Sequence, residues 1–196
     1  MDKRAEIISK AFARIDEVYP DDDSLNASAF NMDKFLDDAA RWVVMTAPIR
    51  ALGEGVDFSA ATHTHNDNGS GSVALPRYFL RLISFQMEDW PLPLVGGLYQ
   101  DDARYRQQSN AVLRGTPYRP AVFVCDGGRR LEYYTSASST IKVARCFAMN
   151  HVGDDYPDRL DDVTAWKVAE LVLSAMNDTN AVQMCQNNIK DLLQLL

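Results

Sequence analysis

Residues 121–135, AVFVCDGGRRLEYYT, decide the fold that the sequence predicts. The segment AVFVC at 121–125 is a short apolar run, which is typical of a strand covered on both faces. The residues Asp126-Gly127-Gly128 follow, and they tolerate the positive φ angles of a tight turn. The segment LEYYT at 131–135 is rich in aromatic residues and predicts the returning strand. We therefore expect a β-hairpin at the centre of the chain.

Further strands are predicted on both sides of this hairpin. The segment Tyr78–Phe85 is apolar on both of its faces, and Pro76 stands before it, where a missing backbone donor is tolerated. The segment Ile141–Met149 predicts another strand. The prolines in Trp90–Leu94 exclude a central strand there and predict an extended crossing. A weak helix is expected at Asp101–Leu113, with Asp101 or Asp102 as its N-cap.

The N-terminal part of the chain predicts two amphipathic helices. The first covers Lys3–Tyr19, and its apolar stripe is formed by Ile8, Phe12, Ile15 and Val18, with Ile7 and Ala11 beside them. A solvated turn at residues 20–24, which contain three consecutive aspartates, ends it. The second helix runs over Asn31–Thr46 and ends before Pro48, because a proline disfavours helical geometry in the residue before it. Its expected buried side is Phe35, Leu36, Ala39, Trp42, Val43 and Ala47.

The C-terminal part predicts an αα-hairpin. Asp161 or Asp162 is expected to cap the third long helix, and residues 177–180 are expected to end it and to cap the fourth. The predicted fold class is therefore α+β, a small helical bundle from the N- and C-terminal helix pairs packed with a central, mainly antiparallel β-sheet. We expect one domain over residues 1–196, with N-terminal helices at 1–50, a flexible loop at 51–72, a β-rich middle at 73–150 and a C-terminal helical hairpin at 158–196.

The composition is that of an ordinary globular chain. It is 46% hydrophobic and 24% charged, and it has no apolar run of about eighteen residues, so a membrane span is not expected. The N-terminus lacks the apolar centre of a signal peptide. The three cysteines Cys125, Cys146 and Cys185 show no metal-binding spacing, which favours buried thiols in a reducing compartment.

Charge is distributed unevenly along the chain, whose net charge is −7. Residues 1–60 carry seven basic and twelve acidic side chains, and residues 151–196 carry three and eight. The middle, residues 61–150, carries ten basic and seven acidic side chains. Such a balance disfavours general nucleic-acid binding, which needs concentrated lysine and arginine. Two interpretations stay open, an unevenly charged solvated surface and a head-to-tail association of acidic with basic surfaces.

Motifs that carry chemistry are scarce in this sequence. His63 and His65, with Asp67 nearby, are the one arrangement that resembles a metal site, but they precede a glycine-serine segment and are expected in an exposed loop. His151 lies near Asp154 without a recognisable nucleophile. The sequence has no G-x-S-x-G, C-x-x-C or H-E-x-x-H motif. We therefore predict no catalytic residues, no cofactor, no metal and no enzymatic activity.

Several segments of the sequence nevertheless resemble those of a known protein family. They are LPRYFLRL at 75–82, Trp90, QQSN at 107–110, RGTPYRP at 114–120 and LEYY at 131–134. These segments look like structural proteins of crAss-like Bacteroidales phages, which are similar to the head-to-tail adaptor (tail tubular or ring) proteins of short-tailed phages. The resemblance extends over most of the chain, from the N-terminal helix pair to the C-terminal one.

The resemblance implies a virion structural protein. It would be a ring subunit of the head-to-tail connector between portal and tail, in twelve copies, and would line the channel for DNA. Its partners would be further copies of itself, the portal protein, tail or nozzle proteins or neighbouring rings, and double-stranded DNA passing through without specific binding. No membrane partner is implied. The ring would be assembled in the bacterial host cytoplasm and would reside in the virion.

One departure from the family concerns docking on the portal. Several such adaptors carry a C-terminal extension for it, whereas this chain stops on a helix. The loop at 51–72 or the last helix would then supply the contact. Candidate contact residues are Leu192, Leu193, Leu195 and Leu196, although these leucines could instead complete the core. The alternative function is a small bacterial binding protein or a metal-dependent hydrolase that uses His63 and His65.

Overall fold

The computed structural model describes residues 2–19 and 31–196, which form two compact units. One unit, the helical unit, combines the described residues up to Gly53 with Asn150–Leu196, and the other, the sheet unit, is Glu54–Met149. The described residues contain five α-helices and two mainly antiparallel sheets, so the predicted α+β class is confirmed. The prediction of a single domain over residues 1–196 stays a prediction.

The first helix, α1, is Lys3–Val18, close to its predicted bounds. Its N-cap is Asp2, whose carboxylate accepts a hydrogen bond from the backbone nitrogen of Arg4. The sequence placed Ile7 and Ala11 beside the apolar stripe, whereas they lie with Ile15 on the buried face. Ile7, Ala11 and Ile15 are the apolar residues buried on α1, whereas Ile8, Phe12 and Val18 are half-buried beside them. The turn predicted at residues 20–24 lies outside the described residues.

The second helix, α2, is Asp33–Thr46 and ends before Pro48 as expected. Leu36, Ala39 and Val43 lie on its buried face at helical spacing. Trp42 was predicted on that face, but its side chain is exposed. The periodicity of the sequence could not exclude this position, because it lies only one residue away from the buried row. A single helical turn at Ile49–Ala51 follows.

In chain order the sheet unit then contributes β1 (Val56–Asp57), β2 (His63–His65), β3 (Gly71–Ala74), β4 (Phe79–Met87), β5 (Leu94–Val95), β6 (Leu98–Tyr99), α3 (Ala103–Gln107), β7 (Ala121–Cys125), β8 (Arg130–Tyr134) and β9 (Ile141–Ala148). One sheet has the order β1-β9-β4-β5 and the other β2-β3-β8-β7-β6. The single central sheet expected from the sequence is therefore two sheets. All strand pairs are antiparallel except β6 with β7.

The predicted hairpin is present as β7 and β8, paired from Ala121 with Tyr134 to Cys125 with Arg130. Asp126, Gly127 and Gly128 connect them with φ angles of 53°, 63° and 85°. These left-handed values are the reason that aspartate and glycines occupy the turn.

The core of the sheet unit lies between the two sheets. Phe85 of β4 and Tyr133 of β8 have ring centroids 5.8 Å apart, and Trp90 meets Phe85 edge-on at 5.8 Å. The indole nitrogen of Trp90 donates a hydrogen bond to the carbonyl of Thr135 at 2.9 Å, which fixes the loop after β4 to the end of β8. Aromatic pairs of this kind add to the stability gained from burial alone.

The prediction of one flexible loop over residues 51–72 missed the strands in this segment. It contains β1 and β2 and the start of β3. Gly71 is required at that start, because a Cβ atom there would overlap the ring of Tyr133. Strands of two to four residues carry too little hydrophobic pattern to be recognised, and β1 and β3 pair with the distant strands β9 and β8.

The C-terminal helices are α4 (Asp161–Ala175) and α5 (Thr179–Leu195), so the predicted αα-hairpin is confirmed. α4 is the central helix of its unit and packs against α1, α2 and α5. The predicted cap of α4 was wrong, since Asp161 and Asp162 lie in the first turn and Leu160 holds the cap position. Asp178 caps α5 by accepting a hydrogen bond from Ala181.

A buried ion cluster joins α1 to α4. The carboxylate of Asp161, which is almost fully buried, lies 2.8 Å from Lys3 Nζ and 3.2 Å from Lys10 Nζ. Lys3 is itself buried and also contacts the exposed Asp158. Among the described residues, no helix is both long and apolar enough to cross a membrane.

Candidate interaction surfaces

The two histidines of the metal alternative lie on β2, an edge strand. His63 Nε2 is 3.0 Å from the carbonyl oxygen of Ser139, and His65 Nδ1 is 2.8 Å from the hydroxyl of Tyr133. Both rings therefore already contact protein groups. Among the residues that the structure describes, no group of three or more histidine, cysteine, aspartate or glutamate side chains is arranged to hold a metal ion.

His151 contacts a carboxylate that the sequence did not indicate. Its Nδ1 atom is 2.8 Å from Asp37 on α2, and the predicted neighbour Asp154 is not this hydrogen-bond partner. Asp37 also accepts hydrogen bonds from Arg4 Nη1 at 2.8 Å and from the backbone nitrogen of Val152 at 2.9 Å. Burial opposes ionisation of Asp37, but these hydrogen bonds outweigh it and lower the pKa of the carboxyl group. The arrangement joins α1, α2 and the segment before α4.

The three thiols are buried, as the sequence predicted. Burial raises the pKa of Cys125 to about 11, that of Cys146 to about 12 and that of Cys185 to about 11. The thiolate is the reactive form of cysteine, so these side chains are poor nucleophiles in the folded protein.

The most exposed aromatic side chain of the sheet unit lies in the motif RGTPYRP. We call residues 114–120 the arginine–tyrosine tip. Its centre is a tight turn, in which the backbone nitrogen of Thr116 donates to the carbonyl of Arg119 at 3.1 Å and the nitrogen of Arg119 donates back at 2.9 Å. Tyr118 stands in this turn with 85% of its surface exposed.

Buried Gln108 holds the tip in place. Its Oε1 atom accepts a hydrogen bond from the backbone nitrogen of Gly115 at 2.9 Å, and its Nε2 atom donates to the carbonyl of Arg104 at 2.9 Å. The guanidinium of Arg114 donates to the carbonyl of Gln108 at 3.0 Å and to that of Asn68 at 3.2 Å. The exposed tip is thus anchored by two side chains, Gln108 and Arg114, that hydrogen-bond to the backbone.

A cleft of about 820 Å³ lies beside the tip in the sheet unit. Its apolar lining includes Leu94, Val112 and Leu113, and its polar lining includes Arg104 and Arg119. Val112 and Leu113 are exposed, and Val112 has 89% of its surface accessible. This side of the sheet unit therefore combines exposed apolar and basic side chains.

A second apolar surface lies in the helical unit. We call it the α2–α5 groove, a depression of about 590 Å³ whose lining includes Trp42, Pro48, Ile189, Leu193, Lys167, Glu170, Gln186 and Lys190. Lys167 Nζ lies 4.3 Å from the centre of the Trp42 ring and 2.6 Å from Glu170 Oε2. Gln186 Nε2 donates to the other oxygen of Glu170 at 3.0 Å. The groove thus has an apolar floor and an ordered polar rim.

The four leucines predicted as partner contacts do not complete the core. Leu192, Leu193 and Leu196 are half-buried, and Leu195 has 82% of its surface exposed. The buried residues of α5 are Ala181, Cys185 and Ile189, which lie earlier along the helix. Of the four leucines, Leu193 lines the α2–α5 groove. Their role as a partner contact stays a prediction.

The two units differ strongly in charge. The sequence of the sheet unit, residues 54–149, contains ten basic and nine acidic side chains, a net charge of +1. The rest of the chain contains ten basic and eighteen acidic side chains, a net charge of −8. Three of these acidic side chains, at 21–23, lie outside the described residues, so the described helical unit has a net charge of −5 against +1 for the sheet unit.

No protein-family model matches the sequence, and a comparison with curated proteins gives no match. Sequence reasoning placed Trp42 on a buried helix face, and it quoted Tyr118 and Gln108 only within the segments of the resemblance, without identifying a surface or anchor role for them. A signal for Tyr118 was present, because the proline and glycine around it predict a turn and a turn places its side chains at the surface. Gln108 gave no such signal.

Proposed function

We propose that the chain is a subunit of a head-to-tail connector ring in a phage virion, placed between portal and tail. One observation carries this proposal: each of two unlike surfaces exposes an aromatic side chain, Tyr118 at the arginine–tyrosine tip of the sheet unit and Trp42 in the α2–α5 groove of the helical unit. A cyclic ring needs two different surfaces on every subunit, because each copy contacts one neighbour with each of them. A symmetric dimer would need only one.

The charge difference between the units supports the same function. A helical unit whose described residues carry a net charge of −5 and a sheet unit of net charge +1 are better suited to unlike contacts than to like ones. An acidic surface also repels the DNA backbone, which is what a passage for DNA requires and the opposite of what a DNA-binding protein needs. Partners of the ring would be the portal protein on one side and tail proteins on the other.

Assembly of the purified protein tests the proposal. Native mass spectrometry and negative-stain electron microscopy should reveal closed rings of the protein alone or together with the portal protein encoded in the same genome. A protein that remains monomeric at all concentrations, with and without that portal protein, would overturn the proposal. A control at high salt should weaken assembly, because contacts between acidic and basic surfaces are screened.

A further inference from the structure

We propose that the arginine–tyrosine tip of one copy inserts Tyr118 into the α2–α5 groove of the neighbouring copy. This proposal rests on the proposed ring function. The tip is the projecting partner and the groove is the receiving one. The proposal goes beyond ring formation, because it names the two surfaces and the side chain at the centre of the contact.

The tip has the properties of a preorganised anchor. Ordering an interface loop costs free energy, and this loop is already ordered by the paired backbone of Thr116 and Arg119 and by buried Gln108. Tyr118 presents an apolar ring with a polar end, and tyrosine is enriched among the residues that dominate binding energies. A solitary aromatic ring held at the surface by a buried polar side chain has no evident role within the sheet unit.

The groove matches such a side chain in chemistry. Its floor offers the exposed ring of Trp42 and the side chains of Ile189 and Leu193, which suit an aromatic ring. Its rim offers Lys190, whose ammonium group can donate a hydrogen bond to the phenolic oxygen. The volume of about 590 Å³ leaves room for the tyrosine and the neighbouring proline of the tip.

Charge complementarity favours a second copy of this chain as the occupant. Arg119 stands next to Tyr118, and within the described part of the chain it forms no ion pair. The described residues of the helical unit, which carries the groove, have a net charge of −5 and expose Asp38 one turn before Trp42 and Asp191 next to Lys190. The groove's own charged lining is Lys167, Lys190 and Glu170, so the acidic partner for Arg119 across copies is the exposed Asp38 beside the groove.

Four variants test the contact. Tyr118→Ala removes the projecting side chain, and Leu193→Gln places a polar group in the groove. Their matched controls are Leu92→Ala, an exposed apolar residue outside the tip, and Met184→Gln, an exposed apolar residue of α5 outside the groove lining. We expect Tyr118→Ala to weaken self-association by about 30-fold or more, as for a central aromatic anchor, and the controls to assemble like the wild type. Circular dichroism melting curves establish that every variant is folded.

Mixing the two disabled variants gives the decisive measurement. Tyr118→Ala keeps an intact groove and Leu193→Gln keeps an intact tip, so an equimolar mixture should form 1:1 heterodimers although neither variant assembles alone. Sedimentation velocity with one variant fluorescently labelled measures this. An intramolecular contact or a symmetric contact would give no heterodimer and would overturn the proposal.

The remaining outcomes separate this proposal from that of the ring. If Tyr118→Ala and Leu193→Gln both still form the rings that the wild type forms, the tip-and-groove contact is overturned and the ring function stands. Open chains that depend on Tyr118 and Leu193 would support the contact and contradict the closed ring. A wild type that stays monomeric even with the portal protein would overturn both.

Discussion

The hydroxyl of Tyr105 donates a hydrogen bond to Oε2 of Glu132 at 3.0 Å, and this contact ties the short helix α3 to strand β8. The hydroxyl of Tyr134 donates to the same oxygen at 3.0 Å, and Arg130 Nη2 lies 2.9 Å from the other oxygen. Burial, together with the Glu132 carboxylate, raises the pKa of Tyr105 to about 12. One carboxylate therefore satisfies three neighbouring polar groups on the side of the sheet unit that leads to the tip.

Removing this carboxylate should destabilise the sheet unit. We expect Glu132→Ala to lower the free energy of unfolding by about 2–3 kcal/mol, because two tyrosine hydroxyls and a guanidinium lose a charged partner. Urea titration followed by fluorescence provides the value. The exposed Glu88→Ala is the matched control and should change it by less than about 0.5 kcal/mol. Equal stabilities of the two variants would contradict the structural role of Glu132.

The ion cluster between α1 and α4 predicts unequal roles for its two lysines. Lys3 is buried against Asp161, whereas Lys10 is partly exposed to solvent. Lys3→Ala should cost about 3–5 kcal/mol, as for the loss of one partner of a buried ion pair. Lys10→Ala should cost less than about 1 kcal/mol, since exposed pairs contribute little. Chemical denaturation of both variants measures the difference, and a larger loss for Lys10→Ala would be incompatible with this arrangement.

Asp37 predicts a loss of stability in acid. Its folded pKa is lowered, so the stability that it contributes is fully present above its unfolded pKa of about 3.9 and is lost as the pH falls through the folded value. Asp37→Asn should lower stability near neutral pH and should flatten the decline below about pH 4. Thermal melting from about pH 7 to about pH 2 records both effects. An unchanged acid limb in the variant would show that Asp37 does not contribute to it.

The thiols provide a test that needs no substitution. Because burial raises the pKa of all three, a thiol reagent at about pH 8 should react slowly with the folded protein. After unfolding in guanidinium chloride, three thiols per chain should react within the mixing time. Fast reaction of one thiol in the folded protein would place that cysteine at the surface.

The sequence predicted the elements with strong local signals. The hairpin at 121–135, strand β9 and the helices α1, α2, α4 and α5 all have apolar periodicity over many residues, and their bounds agree with the structure to within two or three residues. The paired sheets were missed for the opposite reason. β2 and β3 are three and four residues long, and they pair with each other and, through β3, with β8, some sixty residues away.

The candidate surfaces were harder to predict than the fold. The sequence pointed to Leu193 as a contact residue but placed Trp42 in the core, and both line the groove. Their shared position depends on how α2 and α5 lie around α4, which no local pattern records. The role of Gln108 was equally hard to predict. It holds the tip because its side chain is buried, and no sequence pattern predicts the burial of a polar residue.

The helical unit is assembled from the two ends of the chain. α1 and α2 bury their apolar faces against α4, which is synthesised more than a hundred residues after them. On the ribosome the sheet unit can fold first, because it is continuous in sequence. The apolar residues of α1 and α2, among them Ile7 and Leu36, stay exposed to water until α4 has been translated. The nascent chain is therefore most prone to aggregate before α4 emerges, and a stalled or truncated product would expose the very faces that the finished protein hides.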